Sequence, residues 1–267
     1  MTGCKDGTGT TAARLTWRDI WQSAVPALYY TVLLNIVHAL LVLSGRPLSK
    51  IERQALSVSA CLFVFGWYAF RMRLAFSDKR RKRGLFYYPA LFCYAAAVVT
   101  CATANNYLYA ILVTRLGEFS PGYQAVTEML YRQDLFTEIA AMCVLGPLIE
   151  ELVFRGLVYQ RLRQKGTPFA AAVWSALLFG LMHFNLVQCA YAFVLGLLLA
   201  HIVNRTGNLL AAAAAHMAAN LASVLWTETD LLDFLNVSGS GQYAAALVCL
   251  ILTGIFLSYG NRMKIFS

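Results

Sequence analysis

The stretch "GPLIEELVFRGLVYQ", Gly146 to Gln160, decides how this chain is read. Its apolar residues have the density of a membrane-spanning helix, yet it carries Glu150, Glu151 and Arg155. A charged side chain at the centre of a bilayer costs about 2.5–3.5 kcal/mol on insertion scales, so such residues face a bundle interior or a watery cavity. The rest of the chain supports a membrane setting. Of 267 residues, 59% are hydrophobic and 13% charged, against about a quarter charged in soluble domains. The mean hydropathy of +0.59 agrees. Apolar runs of about 18–20 residues, long enough to cross a hydrocarbon core, recur along the chain. They predict an all-α polytopic integral membrane protein, a single membrane domain over 1–267.

Eight helices are expected, near Ala24–Leu43, Ala55–Phe70, Leu85–Thr103, Leu135–Tyr159, Ala170–Phe184, Cys189–Val203, Leu209–Trp226 and Tyr243–Tyr259. The third either continues through "NNYLYAILVTRLG" or breaks at Asn105-Asn106. The net charge of +9 sits mainly in short segments between apolar runs, above all "RMRLAFSDKRRKRG" from Arg71 to Gly84. That pattern reads as anchoring against anionic lipid rather than nucleic-acid binding. It places both termini in the cytoplasm, against which only "GRPLSKIERQ" disagrees. The polar N-terminal segment has no apolar core of a cleaved signal peptide. Of seven cysteines, five lie inside apolar runs and none has metal-like spacing, so they read as small buried hydrophobes.

The charges of the opening stretch divide by helical geometry. Glu151 and Arg155 are four apart, share a face and pair, acid before base, as a structural ion pair. Glu150 is turned by about 100° and has no basic residue three or four positions away on its own helix. Pro147 cannot donate to the carbonyl of Cys143, so a kink is expected that opens polar backbone beside Glu150. The following helix ends in "FGLMHF", with Phe179 and His183 on one face, and the seventh carries "HMAAN", with His216 and Asn220 on one face. His38 and His201 read as packing residues. Gly180 and Gly196 read as close-packing positions.

A carboxylate, two imidazoles and an amide from three helices support two chemistries. Glu150, His183 and His216 are candidate ligands of a divalent metal such as Zn²⁺, with an open position for water. Without metal, Glu150 with His183 acts as general base on a water, and His216 with Asn220 donates to the oxyanion. Both lead to acyl-bond hydrolysis. Counted from the expected helix ends, Glu150 and His216 fall near mid-membrane and His183 nearer the outer face.

"EELVFR", "FGLMH" and "HMAAN" match in order the EExxxR, FxxxH and HxxxN motifs, and the chain thereby resembles the CPBP intramembrane proteases. This family is named for CAAX proteases and bacteriocin processing, is also called Abi, and includes the type II CAAX prenyl endopeptidases. The resemblance covers a core at 137–225. It implies catalytic Glu150, His183, His216 and Asn220, supporting Glu151 and Arg155, and either no cofactor or a divalent metal. It also implies an endopeptidase acting on a peptide or membrane-protein substrate, with the lipid bilayer and no nucleic acid as its other partner. Bacterial plasma membrane is the expected location. The alternative is a non-catalytic membrane immunity or scaffold protein that binds a peptide or peptidase; ion transport ranks third.

Overall fold

A computed structural model describes residues 15–72, 84, 85, 87–116 and 134–266. The basic cluster at 73–83 and the N-terminal segment at 1–14 lie outside the described residues. Eight long helices are present among them, with no β-strand. They are α1 (Trp17–Leu43), α2 (Lys50–Arg71), α3 (Tyr87–Leu116), α4, α5 (Pro168–Leu181), α6 (Leu186–Thr206), α7 (Leu209–Glu228) and α8 (Ser240–Arg262). The helix α4 is continuous but of mixed pitch. It runs through Leu135–Glu138, Ile139–Leu145, Gly146–Glu151, Leu152–Tyr159 and Gln160–Lys165, the second and fourth pieces being π-helical. A 3-10 turn, Asp230–Leu235, lies between α7 and α8. Five helices are long and apolar enough to cross a membrane: α1, α3 over Tyr87–Leu112, α6, α7 and α8.

Polar caps set the helix ends further out than the apolar runs suggest. Thr16 and Asp19 form a capping box, so α1 starts at Trp17 rather than Ala24. Ser49 and Glu52 form another, moving the start of α2 from Ala55 to Lys50. Asp134, Thr167, Asn185 and Asn208 cap α4, α5, α6 and α7 by accepting from backbone N–H groups. Gly207, at φ 60°, ends α6 in the left-handed conformation that glycine adopts without strain. α3 does not break at Asn105-Asn106, because both amides face an internal cavity.

The helices alternate in direction. Lys165 at the end of α4 pairs with Asp19 at the start of α1 at 2.7 Å, and Arg161 donates to the Tyr68 hydroxyl at 3.0 Å. At the same end the backbone N–H of Gly84 donates to Ile265, and Asn208 donates to the Tyr87 hydroxyl at 2.9 Å. The six cysteines among the described residues are free.

α5 and α6 approach closely because two glycines allow it. A Cβ on Gly180 would lie 2.6 Å from the Cys189 carbonyl oxygen, and one on Gly196 would lie 2.9 Å from the Ala176 Cβ and 3.1 Å from Arg155 Nη2. Overpacking of this kind costs about 1–3 kcal/mol. Gly180→Ala and Gly196→Ala are therefore expected to lower detergent-solution stability by that amount. Gly66→Ala and Gly254→Ala, where nothing lies within 4 Å, are expected to leave it unchanged. A melting series on the four variants checks this.

Candidate active site

The site begins with the break in α4. At its first π turn the Gly146 N–H donates to Ala141, five residues back. In that register residue 147 would donate to Met142, and Pro147 has no N–H to give. The orphaned Met142 carbonyl is taken by α7, where Asn220 Nδ2 donates to it at 2.7 Å. The expected distortion at Pro147 is thus a widened turn whose open carbonyl ties α4 to α7. Ala in place of Asn220 leaves that buried acceptor unmet, at about 1–3 kcal/mol. In a Pro147→Ala background the restored N–H is expected to reduce the loss. A double-mutant cycle by denaturant unfolding reads the coupling, and additive losses would contradict it.

Four residues after Pro147, Glu151 is fully buried and its Oε1 accepts from two sides: Arg155 Nη1 at 2.8 Å and His216 Nδ1 at 3.1 Å. The expected Glu151–Arg155 pair is present, and it also orients the imidazole. With Nδ1–H donating to Glu151, the neutral ring presents a bare Nε2, which faces Glu150 Oε2 at 3.8 Å. The pair is poorly satisfied elsewhere, since Glu151 Oε2 and Arg155 Nε and Nη2 are buried without hydrogen bonds. The guanidinium instead lies 4.5 Å from the centre of the Phe179 ring, a cation–π contact.

Phe179 is also the hub of the histidines. The His183 and His216 rings stand edge-on to it at 5.1 and 5.9 Å, and Phe154 packs at 5.0 Å. His183 lies beyond the end of α5, in a turn closed by Phe184 at φ 56°, not on the helix expected to run to Phe184. Its Nδ1 is 2.9 Å from the Phe179 carbonyl, so Nδ1–H donates there and Nε2 keeps its lone pair. The expected depth mismatch between His183 and Glu150 is corrected by the short turn between α4 and α5. Glu150 lies 16 residues before Gly166 and His183 16 after Thr167, which brings them to the same height in an antiparallel hairpin. α5 itself has 14 residues, fewer than the roughly 20 a full crossing needs, so its end stops inside the bundle. α7 in turn begins at buried Asn208 and Leu209, which lowers His216 to the same level.

Glu150, His183, His216 and Asn220 all line one cavity of about 1270 Å³, bounded also by α1, α2, α3 and α6. Among the described lining residues Glu150 is the one carboxylate; the other polar walls are the two imidazoles, amides, hydroxyls and phenols. The expected three-residue metal set is not assembled. Glu150 Oε2 and His216 Nε2 lie near the separation two tetrahedral zinc ligands have, about 3.4 Å. However, no group of three or more His, Cys, Asp or Glu among the described residues is placed to hold an ion. His201 serves packing, with Nε2 2.8 Å from Asn261 Oδ1, and neither it nor His38 lines the cavity. A residue that sequence reasoning missed is Tyr30 on α1, which lines the cavity although it is far from every motif.

Residues 132–222 match the family described as type II CAAX prenyl endopeptidase Rce1-like. The chain is 24% identical over 142 residues to a Bacillus subtilis protein named "Putative membrane peptidase YdiL". That match covers 53% of this chain and 55% of the relative, so it spans about half the length of each. No solved structure matches. All seven motif side chains, Glu150, Glu151, Arg155, Phe179, His183, His216 and Asn220, fall inside 132–222, the segment similar to the Rce1-like family.

Proposed function

We propose that the chain is an intramembrane endopeptidase that hydrolyses a peptide bond of a membrane-associated or peptide substrate held in the cavity. The observation that carries this reading is Glu150, the one carboxylate among the described lining residues, facing an imidazole whose other nitrogen is held by a buried glutamate. In the proposed reaction Glu150 takes a proton from a water that adds to the scissile carbonyl, and the His183 Nε2 lone pair holds that water. The tetrahedral oxyanion is met by the Asn220 N–H that Met142 does not use. His216 Nε2 stands beside it and donates to it whenever that nitrogen carries a proton. Collapse breaks the C–N bond, and the proton on Glu150 passes to the leaving amine. No step of this proposal is routed through a metal; among the described residues no three His, Cys, Asp or Glu side chains are placed together to hold one.

Cleavage of a peptide library by purified protein in detergent tests the proposal, with products identified by mass spectrometry and metal content measured on the same sample. Turnover that is indifferent to chelator at substoichiometric metal is expected. Stoichiometric zinc with chelator-sensitive turnover would make Glu150 and His216 ligands instead. Binding of peptides without turnover would favour a scaffold.

A further inference from the structure

The oxyanion site just described is short of donors. One Asn220 N–H is spent on the Met142 carbonyl, and His216 and His183 each commit Nδ1–H to a protein acceptor. In their neutral forms both histidines turn lone pairs, not N–H groups, toward the cavity. Among the described hydroxyl, phenol and amide side chains that line the cavity, Tyr30 is the buried one. The side chain is 7% exposed, its ring is fixed in the core by edge-on packing against Phe65 at 6.2 Å, and it lines the cavity. Among the described residues no hydrogen bond reaches the hydroxyl, and Tyr30 shares the cavity wall with Glu150. A donor and a general base that line one cavity without bonding to each other leave room between them for the reacting group.

We propose that Tyr30 is a catalytic residue of this site, donating a hydrogen bond to the scissile carbonyl oxygen and to the oxyanion that oxygen becomes. The inference rests on the peptidase reading above and deepens it. Water oxygen bonds to the carbonyl carbon as Glu150 takes the proton, and the C=O pair moves onto oxygen opposite the Tyr30 phenol. The phenol keeps its proton throughout. When the C–N bond breaks, the pair returns and the hydrogen bond relaxes. A member of α1, outside the matched segment 132–222, thus completes the reacting centre.

Tyr30→Phe removes one oxygen and nothing else. With the best-cleaved library peptide it is expected to lower kcat by about 10²–10³, the loss seen when one oxyanion donor is removed, with KM within twofold. Binding of that peptide's phosphonate analogue, whose charged oxygen stands for the oxyanion, is expected to weaken by the same factor. A kcat within threefold of wild type, or a change confined to KM, would overturn the proposal. Glu150→Gln in the same assay separates the two readings: equal turnover in wild type and Glu150→Gln, or none in either, sinks the peptidase reading rather than the Tyr30 assignment alone. If Tyr30→Phe does not fold, 3-fluorotyrosine at position 30 replaces it. Its ¹⁹F resonance is expected to move with the phosphonate and not with the peptide, and equal movement with both would overturn the proposal.

Discussion

Arg155→Met is expected to destabilise the protein by about 3–5 kcal/mol, the loss that follows when one partner of a buried ion pair is removed. Arg155 is fully buried, and among the described residues its one hydrogen bond goes to Glu151. Without it, Glu151 and Glu150 share a single imidazole, and Gly196 and Phe179 face a space that held a guanidinium. The Arg155→Met, Glu151→Leu double variant is expected to regain most of the lost stability, since no unpaired charge then remains buried. It is not expected to regain turnover, because His216 has lost the acceptor that fixes its ring. Denaturant or thermal unfolding in detergent reads the first effect, and peptide cleavage reads the second. Stability within about 1 kcal/mol of wild type in the single variant would mean that the pair is not the lock described.

Glu150→Gln is expected to cost activity rather than stability. General-base catalysis contributes about 10²–10⁴ in rate, and glutamine cannot accept the water proton, so kcat should fall by that factor. Glu150 makes no hydrogen bond that the fold requires, in contrast to Glu151, and its side chain is 23% exposed to the cavity. The melting temperature should therefore stay within a few degrees. Equal losses of activity and stability in the two glutamate variants would remove the distinction between a working carboxylate and a supporting one.

That distinction was half legible in the residues alone. The i, i+4 spacing of Glu151 and Arg155 is a local property of one helix, and the pair formed as expected. His216 sits 65 positions from Glu151, and nothing on either helix announces that contact. Helix number followed from apolar run length, whereas helix starts did not, because Thr16–Asp19 and Ser49–Glu52 extend α1 and α2 through polar sequence. Those capping boxes can be read in "TWRD" and "SKIE", a signal that counting apolar residues passes over.

The break at Pro147 was foreseeable, but its form as a π turn was not, since the widened register depends on α7 supplying Asn220 to the freed carbonyl. The height of His183 was misplaced for a simpler reason. It depends on how few residues join α4 and α5, and expected ends at Tyr159 and Ala170 hid a turn of two residues. Tyr30 could not be found at all without the fold. A tyrosine in an apolar helix carries no motif, and only the packing of α1 against α2 and α4 turns it toward the site.

The central claim is that water, activated at Glu150, is added across a peptide bond in this cavity. The most direct measurement runs purified wild type and Glu150→Gln side by side on a peptide library in H₂¹⁸O and sequences the products by mass spectrometry. New C-termini carrying one ¹⁸O, formed by wild type and reduced at least a hundredfold in Glu150→Gln, are the predicted result. The same products at the same rate from both proteins would contradict the account.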